Sequence, residues 1–212
     1  MKVTVLRTEL ECNSHAIEHV LTQWKPSVQW PCQPSKPALA ATIEQFGCPC
    51  PTIASPDWVH DLSSHNNATN NGLTNPNAHI LSIVDNGEAY RHAALIFLYR
   101  NIYKLERSNS KVRMHVRLTL AACVRVVEWA GPMPALLWPM FIGSVEAISE
   151  EDRSIATMAF TGTERRQGML NITRSWEIVK EVWRRGNEGE EVDWRTICKE
   201  KGASLEIGRA HV

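Results

Sequence analysis

Prolines divide this sequence into two stretches with different folding options. Eight of the eleven prolines lie in residues 1–87, and seven of them fall between Trp24 and Trp58. Each proline removes a backbone donor and turns the residue before it away from helical geometry, so this stretch excludes a long helix. The run from Asn66 to Asn77 contains six asparagines, as a polar loop does. We therefore expect residues 1–87 to form an irregular segment.

Residues 88–206 favour consecutive helices instead. Between Glu88 and Leu105, and again between Lys111 and Ala130, apolar side chains recur every three or four positions, as on the buried face of a helix. Further helices are predicted at Ala135–Ile148, Glu150–Phe160, Asn171–Trp183 and Trp194–Lys201. No segment alternates convincingly as a strand does. The predicted fold class is all-α: an irregular bundle of six to seven helices after a poorly structured N-terminal segment, which holds at most a short helix at Ala16–Trp24.

Side chains that accept backbone hydrogen bonds at a helix start predict where several helices begin. The predicted N-caps are Ser14, Ser149, Thr163, Asn171 and Asp193. Gly202 follows the last predicted helix, at a position where glycine commonly ends one.

The charge balance excludes a strong global attraction for polyanions. Lysine plus arginine and aspartate plus glutamate both number 23, so the net charge is zero, and no overall field draws in nucleic acid or an anionic membrane. Apolar runs are far shorter than the ~20 residues of a membrane span, and early charges argue against a signal peptide. The six cysteines are unevenly placed and do not suggest a disulfide framework. A reduced intracellular protein without a membrane partner is expected.

The two ends of the sequence raise questions of origin. Residues 207–212 match the translation of a common sequencing-adaptor oligonucleotide, so we interpret them as an adaptor-derived tail and exclude them from the fold. Residues 1–87 are interpreted as a genuine irregular segment or as a truncated or mis-spliced remnant. The domain organisation predicted is therefore an irregular segment at 1–87, a helical domain at 88–206 and a tail at 207–212.

Two groups of side chains have the chemistry of metal ligands. Cys48 and Cys50, followed by His60 and His65, supply two thiolates and two imidazoles, the ligands that zinc prefers, but one intervening residue is fewer than the usual two to four. The second group is Cys12, His15 and His19. It has no nearby fourth ligand, so free side chains are the favoured interpretation for both groups, and neither a metal nor another cofactor is predicted.

Catalytic machinery is not recognisable either. A nucleophilic triad needs an activated serine or cysteine beside a histidine and an acid, and the nearest candidate, Cys123, lies on an apolar helix stripe where cysteine behaves as a small hydrophobe. The carboxylates of Glu150–Asp152 stand at a helix start, where negative charge is favourable without any catalytic role. We therefore do not expect an enzyme.

A basic run and several tryptophans are the remaining notable features. The basic run comprises Arg100, Lys104, Arg107, Lys111, Arg113 and Arg117. It could contact phosphates or an acidic partner, but a charged helix surface is the favoured interpretation. The tryptophans Trp138, Trp176, Trp183 and Trp194 occupy apolar helical positions or follow caps. They are predicted to lie in the core, with ligand-pocket lining as the alternative.

The order of particular residues in the second half adds a resemblance. The motifs that carry it are Ala93–Arg100, Leu137–Ile142 with Trp138, Pro139 and Phe141, then Glu146, Asp152, Arg153, Gly168, Asn171, Glu181–Trp183 with Trp183, and Asp193 with Trp194. In this order and spacing they resemble the C-terminal regulatory domain of fungal-specific transcription factors with a zinc binuclear cluster, over about residues 88–205. Gly143–Val145 depart from the family pattern, and the six-cysteine zinc cluster does not occur in this sequence.

The resemblance implies a regulatory domain that acts in the nucleus, without the module that reads DNA. The implied partners are a second copy in a homodimer or another protein of the transcription machinery, with DNA contacted only through a zinc cluster that this chain lacks. Within the domain, we expect Glu146 and Arg153 to form a structural ion pair, with a switch element as the alternative. The alternatives are an all-α protein that binds a hydrophobic ligand in a tryptophan-lined cavity, and an interaction scaffold with an exposed apolar stripe and no role linked to DNA.

Overall fold

The computed structural model describes residues 2–26, 78–129, 135–189 and 193–202 of the 212-residue chain. Those residues contain helices and no strand, so the predicted all-α fold class is confirmed. The helices are α1 Lys2–Gln23, α2 Ala78–Asn101, α3 Ser110–Glu128, α4 Leu137–Val145, α5 Glu150–Gln167, α6 Leu170–Asn187 and α7 Trp194–Glu200.

The N-terminal stretch departs from its prediction. The short helix expected at Ala16–Trp24 is instead the 22-residue α1, and Ser14 is a buried residue inside it whose hydroxyl donates to the Glu11 carbonyl at 2.8 Å, not an N-cap. The second helix begins at Ala78, so it runs through Gly87, where composition placed a boundary. The length of α1 was not predicted because this helix has no wide apolar face, and such a face is the pattern that predicts a helix.

Contacts divide the chain into two compact units, Met1–Pro26 together with Ala78–Val212, and Ser27–Asn77. The second unit lies outside the described residues. So do the candidate ligands Cys48, Cys50, His60 and His65, and the interpretation of 207–212 as a tail.

The first unit is built around the antiparallel neighbours α2 and α3. Helix α4 packs against both, α5 covers α3, α6 packs on α4 and α5, and α7 closes against α6, while α1 lies on α2. The largest fully buried side chains are Phe141, Phe160, Leu95, Ile96, Leu120 and Leu136. The stripe predicted in α3 faces this core, because Val112, Val116 and Cys123 are all buried.

Helix ends follow local chemistry where a cap is present. Ser149 caps α5 as predicted: its hydroxyl accepts from the Asp152 N–H at 3.2 Å. Asp193 caps α7 by accepting from the Arg195 N–H at 3.0 Å. Gly168 ends α5 with a φ of 55°, the left-handed geometry that glycine adopts at least cost.

Two further predicted caps are wrong. Thr163 lies inside α5, buried, with its hydroxyl donating to the Ala159 carbonyl at 2.8 Å, because α5 continues seven residues beyond Phe160. Helix α6 starts after Met169, which makes no side-chain cap, so Asn171 is an exposed first-turn residue. Across the described helices, none is long and apolar enough to cross a membrane.

Candidate functional site

An aromatic cavity of about 530 Å³ opens where α1, α2 and α4 meet. Tyr90 of α2 and Trp138 of α4 stack at a ring separation of 5.4 Å, and Trp24 comes from just beyond the end of α1. Gly87 and Ala94 of α2 also line the cavity. Cavities of about 300–1,000 Å³ with mainly apolar walls are the usual size and character of small-molecule sites.

The position of Trp24 depends on a glycine. A Cβ atom at Gly87 would stand 3.0 Å from the Trp24 ring, so a larger residue there would require the indole to shift slightly away from α2. Burial raises the pKa of Tyr90, which keeps its phenol neutral. The cavity wall is therefore apolar and aromatic, with Arg91 as its charged member.

Polar contacts hold α1 on the rest of the unit. The carboxylate of Glu18 accepts from the hydroxyls of Tyr99 at 2.8 Å and Tyr103 at 2.9 Å, more than 80 residues away in sequence. Burial works to raise the pKa of Glu18, but these hydrogen bonds, with Lys111 and His15 nearby, lower it overall. A charged Glu18 thus anchors the helix that carries one wall of the cavity.

A buried histidine pair lies beneath that anchor. His92 Nδ1 of α2 and His115 Nδ1 of α3 are 2.8 Å apart, and Arg91 Nη2 lies 3.1 Å from His92 Nε2. Since arginine can only donate, His92 Nε2 accepts and its Nδ1–H donates to His115. Burial, with the charge of Arg91 adding, lowers the pKa of His92 to about 3 and that of His115 to about 4. Both rings are neutral at physiological pH.

Glu146 is a second polar centre, but its partners differ from the prediction. The buried carboxylate at the end of α4 pairs with Arg100 Nε at 2.8 Å and with Arg107 Nε at 3.1 Å. Arg153 instead donates to the Asn187 side chain at 2.8 Å. The expected Glu146–Arg153 pair is wrong. The carboxylate pairs instead with Arg100, at the end of α2, and with Arg107, in the turn that follows.

Arg153 and Trp183 join α5 to α6. The Arg153 guanidinium lies 5.3 Å from the centre of the Trp183 ring, a cation–π distance. The indole N–H of Trp183 donates to the Ser144 carbonyl at 2.8 Å, and the ring meets Trp176 edge to face at 5.3 Å. Trp183 is half-buried, so it packs inward as predicted while one edge stays at the surface.

Most side chains of the basic run pair with carboxylates of the same chain. Arg117 donates from Nε to the buried Asp152 at 3.1 Å and also pairs with Glu151. Lys111 lies 4.0 Å from Glu18, and Arg100 and Arg107 share Glu146. The favoured interpretation, a charged surface of helix and turn, agrees with these pairings.

The remaining family-motif residues support the core around α4. Pro139 is buried in the first turn of α4, where a missing N–H costs little, and Phe141 is fully buried. Phe141 meets Trp194 edge to face at 5.2 Å. Trp138 is only half-buried, because its outer face lines the aromatic cavity. The alternative of pocket lining therefore describes Trp138 better than the core prediction does.

The described part of the chain contains no group of three or more histidine, cysteine, aspartate or glutamate side chains that could hold a metal. Cys12, His15 and His19 of α1 therefore do not form such a group. Cys123 is buried, and burial raises the pKa of its thiol. That places it with inert core cysteines, as predicted.

Sequence reasoning missed the residues that surround Trp138 in the cavity. Tyr90 is one apolar position among many in the helix predicted between Glu88 and Leu105, and Trp24 stands at the end of the short helix predicted at Ala16–Trp24. One pattern could have found α1: Leu10, Ile17 and Trp24 are seven residues apart, with Val20 between the last two. Seven-residue spacing places side chains along one stripe of a helix.

Comparison with known proteins gives one match. The model of the fungal-specific transcription factor domain matches residues 35–207, which is most of the chain and includes every described helix except α1. No curated protein and no solved structure matches the chain.

Proposed function

The chain belongs to the fungal-specific transcription factor domain family, and we propose that its helical unit is a regulatory module that binds an effector or a protein partner and does not read DNA itself. Membership gives the chain a role in the regulation of transcription, and hence in the nucleus. Domains of this family are in general not enzymes, and the module is proposed to act by binding rather than by catalysis.

The aromatic cavity is the observation that carries this proposal. Its walls come from α1, which lies outside the residues that the family model matches, and from α2 and α4, which lie inside them. An occupant between Tyr90, Trp138 and Trp24 would touch all three helices. A bound molecule or apolar peptide side chain could thus change how firmly α1 rests on the family domain, which is a structural route from binding to regulation.

The proposal can be tested by fusing the full chain to an unrelated DNA-binding domain and measuring a reporter gene. We expect the fusion to change transcription relative to the DNA-binding domain alone. Ala94→Phe, which fills the cavity, should abolish the change. Thr161→Phe adds the same ring on an exposed face of α5 and should not. A fusion that behaves like the bare DNA-binding domain would contradict the regulatory role, and a ligand carrier without a role in transcription would give that result.

An exposed stripe on α1 supports a second copy of the chain as the partner. Leu10, Ile17 and Val20 are between 51% and 64% exposed and lie along one side of α1. Leu10, Asn13, Ile17 and Val20 have the spacing of positions a and d in a coiled coil. Asn13 is the polar residue at these positions. A single polar residue in a coiled-coil seam fixes the register of the two helices.

Light scattering coupled to gel filtration measures this association directly. We propose that the chain runs at twice its monomer mass and that Ile17→Glu with Val20→Glu halves it. The matched change Thr22→Glu, on an exposed position of the same helix outside the stripe, should leave the dimer intact. A wild-type chain that runs at its monomer mass would contradict the homodimer.

A further inference from the structure

Among the described residues that line the aromatic cavity, no charge is left unpaired. The charged residue on its wall, Arg91, directs Nε and Nη2 to the Glu88 carboxylate at 2.9 and 2.6 Å. Its Nη2 also lies 3.1 Å from His92 Nε2, and its Nη1 lies 3.4 Å from the Leu21 carbonyl of α1. An ion in the cavity would lose its water without gaining a counter-charge, which is costly. The wall therefore favours an uncharged occupant.

The rings of the cavity favour a flat occupant. Tyr90 and Trp138 stack with their planes 25° apart, and Trp24 supplies a third ring. Tyr90 is 38% exposed and Trp24 is 39% exposed, so both rings keep surface that a ligand can reach. A further aromatic system can extend such a stack, because aromatic rings pair by offset stacking and by edge-to-face contact. Two rings that already stack on each other do not surround a cation as the separate walls of an aromatic cage do.

Three hydrogen-bond donors around the cavity have no partner within the described ranges of the chain. They are the hydroxyl of Tyr90 and the indole N–H groups of Trp24 and Trp138. The indole N–H of Trp183, by contrast, donates to the Ser144 carbonyl at 2.8 Å. An indole N–H can only donate. A hydrogen-bond acceptor, such as a carbonyl oxygen, is thus the polar group that these donors can bind.

We infer that the occupant of the aromatic cavity is an uncharged, flat molecule of fused rings that carries a hydrogen-bond acceptor such as a carbonyl group. The volume of about 530 Å³ is more than one peptide side chain fills, and it suits a small molecule. Such a molecule would lie against α1, α2 and α4 together. Its use as an effector rests on the proposed function, whereas its binding does not.

Four naphthalenes of similar size test this ligand class on the full chain by calorimetry and thermal unfolding. The probe 2-acetylnaphthalene is uncharged and carries a carbonyl, 2-ethylnaphthalene lacks the acceptor, 2-naphthoate is an anion and 2-naphthylmethylammonium is a cation. We expect 2-acetylnaphthalene to bind saturably and to raise the Tm. Without the hydrogen bond, 2-ethylnaphthalene should bind about tenfold more weakly. Both ions should bind more weakly still, because the wall offers them no counter-charge.

Several results with these probes would overturn the inference. Tightest binding of the cation would assign an aromatic cage, and tightest binding of the anion would show that Arg91 is available to a ligand. Equal affinity for the two uncharged probes would remove the acceptor. No saturable binding of any probe would remove the site for fused-ring molecules.

Variants of the cavity wall locate the binding. Ala94→Phe should abolish binding of 2-acetylnaphthalene, whereas Thr161→Phe, the same ring on an exposed face of α5, should leave the affinity within about twofold. Tyr90→Phe, Trp24→Phe and Trp138→Phe each keep a ring and remove one donor. At least one of these three should lower the affinity for 2-acetylnaphthalene to that for 2-ethylnaphthalene. If none of them changes the preference, the donors play no part and the inference fails.

The binding and reporter experiments can fail separately. If 2-acetylnaphthalene binds as expected while the reporter fusion behaves like the bare DNA-binding domain, the site stands and the regulatory function fails. If the fusion is active and Ala94→Phe abolishes its effect but no probe binds, the regulatory function stands and this inference fails.

Discussion

At Gly162, in the middle of α5, one added carbon atom would collide with a neighbouring helix. A Cβ there would lie 2.5 Å from Val127 Cγ1 of α3, closer than carbon atoms approach. Gly162→Ala should therefore lower the free energy of unfolding by about 1–3 kcal/mol through overpacking. Chemical denaturation measures the change.

Gly186 provides the matched control for that substitution. It lies near the end of α6, and nothing stands within 4 Å of the place a Cβ would occupy. Gly186→Ala should leave stability unchanged or raise it by up to about 1 kcal/mol, because alanine is the better helix former. Equal destabilisation of both variants would show that the α3–α5 contact does not limit the space at Gly162.

Trp183 combines packing with one hydrogen bond, and two substitutions separate them. Trp183→Phe keeps a ring and should cost about 1 kcal/mol for the lost bond to Ser144, whose carbonyl still accepts from Ala147. Trp183→Ala also removes the packing on Trp176 and should cost roughly 3 kcal/mol or more. Thermal unfolding decides, with Lys180→Gln expected within about 0.5 kcal/mol of wild type. A Trp183→Ala protein that melts like wild type would contradict the packing role.

The contact between α2 and α3 should make the protein sensitive to acid. His92 and His115 stay neutral in the fold down to about pH 3 and 4, whereas a histidine in the unfolded chain takes up a proton near pH 6.5. Between these values the unfolded state binds more protons, so stability falls as the pH falls. Between pH 7.5 and 5.5 the loss is about 1–2 kcal/mol for each histidine.

Urea unfolding at pH 7.5 and 5.5 measures this effect. The double variant His92→Gln with His115→Gln should lose about 3 kcal/mol of the pH dependence, whatever its stability at pH 7.5. His79→Gln, on an exposed position of α2, should keep the wild-type dependence. An unchanged dependence in the double variant would show that other groups govern the response to acid.

The features that could be predicted from the sequence are an apolar stripe and a helix cap. The stripe of α6 places Ile172 and Val179 in the core, and the cap at Ser149 starts α5 where it was expected. Both features are local in sequence. The start of α6 was misplaced because Met169 offers no capping side chain, so nothing local marks it.

The contacts that could not be predicted from the sequence join residues that are far apart along the chain. Glu146 was paired with Arg153, seven residues away, but its partners are Arg100 and Arg107. The aromatic cavity likewise joins Trp24, Tyr90 and Trp138, and no spacing rule connects three positions so far apart. Local periodicity predicts helices, and it leaves open which helices meet.

At the scale of the whole molecule, the charges argue against sequence-specific binding of DNA by this chain alone. The net charge is zero, and most of the basic run pairs with carboxylates of the fold. We expect fluorescence anisotropy at about 150 mM salt to show at most weak binding that declines steeply as salt rises. Nanomolar affinity that changes with DNA sequence would contradict this expectation.

The attachment of α1 also sets an order of events during synthesis. Glu18 leaves the ribosome before Tyr99, its partner 81 residues later. At roughly 5–20 residues per second that interval is about 4–16 s. Throughout it, α1 lacks the helix α2 and the two tyrosine hydroxyls that hold it in the finished fold. The helix is therefore a natural early client for chaperones, and slower translation of the intervening segment would lengthen its exposure.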